Sequence, residues 1–125
     1  MEADVLRING RIIFNRSVAP FSNATIYIYA EDISHADSLA PLLAKVILSD
    51  ISHNPASTET HGETIIPFNL TMGTEVKINP KNNYNIRAMV EINKGDNLSK
   101  KVLNTDESFP ILTNGYGRFV EIPFK

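Results

Sequence analysis

The sequence predicts an all-β protein, an antiparallel β-sandwich of about seven to eight strands with an immunoglobulin- or transthyretin-like character. Apolar and polar residues alternate with period two along several short segments, most clearly 24–31 and 83–93. Clusters of Asn, Gly, Pro, Ser and Asp separate those segments. At 125 residues, with no repeat or linker, the chain makes a single domain, 1–125, with its core in 5–124.

Each element follows from its own pattern. Over 5–14, Leu6, Ile8, Ile12 and Phe14 share a face. Gly10 interrupts that face and marks a bulge or a close backbone neighbour. A connection with Pro20 leads into the second strand, where Ile26, Ile28 and Ala30 oppose Thr25, Tyr27, Tyr29 and Glu31. This strand stops at the polar run 32–38, whose Asp and Ser side chains compete with ladder pairing for backbone N–H groups. The stretch 36–50 is open between two readings. Leu39, Leu42, Leu43, Val46 and Ile47 could form one face of a part-helix, which Pro41 disfavours. The alternative is a strand over 42–51 with Ala44, Val46 and Leu48 inward, favoured by the Val-Ile-Leu run.

The run 52–63 reads as an exposed polar loop. A strand over 64–72 puts Ile66, Phe68, Leu70 and Met72 on one face. Pro67 within it cannot donate to a ladder, so that strand is an edge or is bulged there. A short strand over 75–79 with Val76 and Ile78 inward comes next, then the long strand 83–93, with a reversal at Lys94-Gly95-Asp96. Strands over 98–103, 109–113 and 118–124 complete the chain, the last pointing Val120, Ile122 and Phe124 one way.

Composition excludes several function classes. A formal charge of -2 and a pI near 5.9 leave no electrostatic footprint for nucleic acid or an anionic membrane. With no cysteine there is no disulfide, thiolate zinc site, thiol nucleophile or lipid-acceptor Cys in this chain as given. No apolar run approaches the ~20 residues of a membrane span, so no membrane insertion is expected. No signal peptide is visible, which leaves localisation open between the cytosol and a matured extracytoplasmic protein.

No metal site or cofactor is expected. His35, His53 and His61 lie in polar connections without the local spacing of a zinc site, and read as solvent-exposed loop histidines. Asp32, Ser34 and Asp37 put several oxygens close together but lack the Gly and terminal Glu of a calcium loop. An Asx turn ending the strand is the role their spacing fits, with Asp37 able to cap a short helical turn. No Gly-x-Ser-x-Gly elbow or phosphate loop occurs, so no catalytic residue is assigned. The candidate binding residues are Tyr27 and Tyr29 on the outward face of the second strand, Asp32 and Asp37 in its turn, and Pro67 on an edge. The tyrosines are either covered by a facing segment or exposed as a recognition patch.

Several segments recur in an order that resembles a known family. These are Asp32-Ile33-Ser34-His35-Ala36-Asp37-Ser38 after a Thr-Ile-Tyr-Ile strand, Ile66-Pro67-Phe68-Asn69-Leu70, Asn79-Pro80, Tyr84-Asn85-Ile86-Arg87-Ala88, and Phe109-Pro110-Ile111-Leu112-Thr113-Asn114-Gly115. Together they resemble the YbaY/YscW family of small bacterial lipoproteins over about 5–124. That resemblance implies a compact β-sandwich without catalytic residues. Some members are type III secretion pilotins, lipoprotein chaperones that bind an outer-membrane secretin. It therefore implies a protein partner in secretion or the outer membrane, and an extracytoplasmic setting. The alternatives are a small transthyretin-like hydrolase, whose Tyr-Arg-Gly-Ser-type C-terminus is missing here, and a carbohydrate-binding module that would stack sugars on Tyr27 and Tyr29.

Overall fold

Alternation sets the strands, and the computed structural model shows how they pair; it describes residues 6–34, 41–73, 76–93, 100–105, 107 and 109–125. The strands are β1 (Arg7–Phe14), β2 (Phe21–Asp32), β3 (Leu42–His53), β4 (Thr64–Thr71), β5 (Tyr84–Asn93), β6 (Lys100–Asn104), β7 (Phe109–Ile111) and β8 (Phe119–Phe124). Among the described residues there is no helix. The strands form two sheets. One has the order β4-β1-β8; the other runs β3-β2-β5-β6, with β7 also on β5. They pack as a β-sandwich around Ile8, Ile12, Ile26, Ile28, Ile86 and Ile122, all fully buried.

In β5 the pattern is complete: Tyr84, Ile86, Ala88, Val90 and Ile92 are all buried, and the residues between them are not. Gly10 marks a close approach and not a bulge. The β1–β4 register runs through it unbroken, and a Cβ there would lie 2.4 Å from both Phe68 Cζ and Val120 O. The open stretch 36–50 resolves as strand from Leu42 onward, with Ala44, Val46 and Leu48 turned toward the core. Residues 35–40 and 94–99 lie outside the described residues, and with them His35, Asp37 and the reversal at Lys94-Gly95-Asp96.

The structure corrects other expectations. His53 is not a loop histidine. It is the last residue of β3 and only 2% exposed, because partners from distant segments satisfy both ring nitrogens. The 75–79 strand does not form among the described residues. Val76 and Ile78 pack on the core from irregular backbone, since no neighbour offers them a ladder. Nor is the sandwich wholly antiparallel: β8 runs parallel to β1. The chain crosses from β7 in the larger sheet to β8 in the smaller one, and arrives beside β1 in the same direction.

Candidate functional site

Backbone parity decides which groups each edge strand shows to solvent. Met72 N–H donates to Leu6 O at 2.9 Å, so the even-numbered β4 residues bond β1 and the odd-numbered ones face outward. Pro67 is one of the outward residues, and its missing N–H costs the ladder nothing. On β8, Asn9 N–H donates to Arg118 O at 2.8 Å and Asn15 N–H to Phe124 O at 3.0 Å. Phe119, Glu121 and Pro123 therefore turn their backbone groups outward. On β5, Thr105 N–H donates to Ala88 O at 3.3 Å, which places Pro110 of β7, opposite Asn85, at another outward position. β6 is only 5 residues long. Those edges are thus short or carry proline where a donor would otherwise invite a partner strand.

β3 differs. It has 12 residues and no proline. Ile33 N–H donates to Asn83 O at 2.9 Å and Asp32 N–H to Pro41 O at 3.1 Å, so even-numbered β2 residues face β3. By the register, Ala44, Val46 and Leu48 bond β2, and Lys45 and Ile47 turn their backbone groups to a side where no strand among the described residues pairs; a register shift at Leu42–Ala44 ends this regular stretch. Apolar side chains sit on both faces of this edge. Leu42 is 51% and Ile47 48% exposed, while Leu43, Ala44, Val46, Leu48 and Ile51 are only partly buried against the core.

The predicted tyrosines stand on the outer face next to β3. Tyr27 lies between Ile47 on β3 and Met89 on β5, and Tyr29 between Lys45 and Arg87. Both are half-buried by neighbours in their own sheet. The Arg87 guanidinium sits 4.4 Å from the Tyr29 ring centroid. Its Nε and terminal nitrogen donate to the two Glu31 carboxylate oxygens at 3.0 and 3.3 Å. The hydrogen bond to Glu31 raises the Arg87 pKa above its ordinary value, outweighing partial desolvation, so the group is cationic at every working pH. One face of Tyr29 is thereby occupied. The surface is a flat strip, Met89–Tyr27–Ile47, and not a pair of free stacking platforms.

Asp32 is at the end of β2, in a different arrangement. Its Oδ1 accepts from Ser34 N–H at 2.9 Å, an Asx turn, and its Oδ2 accepts from the Asn82 amide at 2.9 Å. Ser34 Oγ accepts from Asn83 N–H at 2.7 Å, Thr113 Oγ1 donates to Asn82 O at 2.6 Å, and the Asn114 amide donates to Asn83 Oδ1 at 2.5 Å. Tyr84 Oη accepts from Asn79 N–H at 2.9 Å. The motif segments 32–34, 79–84 and 113–114 thus meet at one end of the sandwich and tie three connections together. Beside them is a small cavity of about 150 Å³ lined by Ile33, Tyr84, Pro110, Ile111 and Tyr116.

Sequence reasoning missed the β3 edge. Its signal is Leu-Leu-Ala-Lys-Val-Ile-Leu, apolar at nearly every position, a pattern that favours strand over helix but does not distinguish an edge strand from a central one. Among the described residues no His, Asp and Glu side chains gather as a metal site. No helix among them is long and apolar enough to cross a membrane.

No protein-family model matches the chain, and no curated protein matches it. A solved structure does: an alternative pilotin from the type II secretion system of Vibrio cholerae is similar at 21% identity, covering 96% of each chain, with a TM-score of 0.65. The chain shares the fold of that pilotin.

Proposed function

We propose that this chain is a non-enzymatic protein-binding module of bacterial secretion, pilotin-like, that holds an outer-membrane secretion component along β3. The observation that carries the reading is β3 itself, an edge strand with apolar residues on both faces and a backbone row that no strand among the described residues pairs. Surfaces of this kind recognise extended segments by main-chain pairing and read them through alternate side chains. The pilotin fold likeness and the order of the YbaY/YscW-like segments favour a secretion partner and an extracytoplasmic setting. Tyr27, beside Ile47, belongs to the recognition strip, and Pro67 keeps a competing edge closed.

The test is binding to the secretin encoded in the same genome, measured by isothermal titration with the purified secretin. Ile47→Lys is expected to weaken binding at least about ten-fold, in line with truncating a central apolar contact. Phe119→Lys, on the outer face of the other sheet, is expected to leave binding unchanged. Equal binding by wild type and Ile47→Lys refutes the assignment of β3.

A further inference from the structure

Two Asn-Gly pairs occur in the chain, Asn9-Gly10 and Asn114-Gly115. Asparagine is among the thermolabile residues, and a following glycine makes it more so. The glycine backbone nitrogen can attack the asparagine side-chain carbonyl, because no β-carbon crowds its approach. Closing that imide ring requires the peptide between the two residues to rotate away from the plane that a regular ladder imposes. The fold treats the two pairs in opposite ways.

Asn9-Gly10 is locked. By the parity of the β1–β4 ladder, Gly10 N–H donates to Phe68 O. Asn9 N–H donates to Arg118 O at 2.8 Å, and Asn9 Oδ1 accepts from the Asn69 amide. Gly10 is buried against the Phe68 ring and Val120 O. Its peptide cannot turn without parting β1 from both neighbouring strands.

Asn114-Gly115 is open. The turn around it is closed by Leu112 N–H to Gly117 O at 2.9 Å and by Tyr116 N–H to Thr113 O at 3.1 Å. Inside that frame, the peptide joining Asn114 to Gly115 makes no backbone hydrogen bond among the described residues. Both residues are exposed, with φ of 59 and 88, and a Cβ on Gly115 would meet nothing within 4 Å. The Asn114 side chain is held by its nitrogen, which donates to Asn83 Oδ1 at 2.5 Å and to Thr113 Oγ1 at 3.5 Å.

The structure assigns Asn114 as a site of self-modification, selected over Asn9 by the fold. Gly115 N gives its proton to water or hydroxide and bonds to Asn114 Cγ. The Cγ–Nδ2 bond breaks, and the nitrogen leaves as ammonia after taking up a proton. Water then opens the imide at either carbonyl, leaving an aspartyl or isoaspartyl residue. The change adds one negative charge to the formal -2 of the chain. It also sets an acceptor, in place of a donor, against Asn83 Oδ1. The isoaspartyl product lengthens the backbone inside the turn as well. Modification therefore loosens the tie between 79–84 and 113–114, beside the cavity that Tyr84 and Tyr116 line. This inference is independent of the reading of β3.

Incubation of the full chain at mildly alkaline pH, with tandem mass spectrometry of its tryptic peptides, tests the assignment. Conversion at Asn114 is expected to outrun conversion at Asn9 by at least about ten-fold. In urea, where no ladder protects Asn9, the two sites are expected to convert at similar rates. The converted chain, and separately Asn114→Asp, are expected to melt roughly 4 °C below the fresh wild type, the shift of one lost hydrogen bond. Equal rates at the two sites in the folded chain, or an Asn114 that stays intact when folded and converts only in urea, overturn the assignment. A converted chain that melts with the fresh one overturns the loosening.

Discussion

His53 holds three segments with one ring. Its Nε2 lies 3.1 Å from Val18 O, which can only accept, so in the neutral ring Nε2 carries the proton and Nδ1 accepts from the Thr64 hydroxyl at 2.7 Å. The ring also packs 5.8 Å from Phe14 and 5.7 Å from Phe21, centroid to centroid, where Phe14 stacks on Phe124 at 5.3 Å. Replacing His53 with Ala leaves a cavity among these rings and two polar groups without partners. The expected loss is about 3 kcal/mol in urea unfolding. Gly10→Ala is expected to be costly for a different reason. Its methyl carbon would press on Val120 O, a backbone atom in a parallel ladder, so the strand must shift, at about 1–3 kcal/mol in the same assay. Gly10 was legible from sequence because it broke an apolar face. His53 was not, because Ser52 and Asn54 beside it look like loop, and its partners Val18 and Thr64 are 35 and 11 residues away.

At the scale of strands, the outward prolines Pro67, Pro110 and Pro123 act through what they withhold. Pro67→Val restores a donor on the open side of β4 without adding a bond to β1. Stability by thermal melt is expected to stay within about 0.5 kcal/mol. Aggregation on prolonged incubation, followed by light scattering, is expected to rise, because a pairing edge has been opened. A marked loss of stability instead would show that the Pro67 nitrogen does not face the edge. Strands such as β5 were legible because every inward residue is apolar and every outward one but Met89 is polar or charged. β3 was ambiguous because both of its faces are apolar, a pattern that period-two reading cannot assign to an edge. Val76 and Ile78 alternate with Lys77 and Asn79 and still form no strand among the described residues, since alternation describes a face and says nothing about whether a neighbour exists to pair with.

For the whole molecule, the sandwich class and the buried faces of the main strands were legible, and the order of strands in space was not. Local pattern does not reveal that β8 returns beside β1, or that the smaller sheet is narrower than the larger and leaves β3 at the margin. β8 supplies Val120, Ile122 and Phe124 to the core. Deleting residues 119–125 is expected to abolish cooperative unfolding and disperse the core signals in an NMR spectrum, since burial of three apolar side chains, about 5–9 kcal/mol, is comparable with the whole stability of a typical domain. Retention of a native-like spectrum would show that β8 is an accessory strand. The same closure has a temporal meaning. β1 keeps one flank vacant until β8, the last strand in chain order, lies beside it. Completing the smaller sheet is therefore a long-range event that local folding of the early strands cannot accomplish.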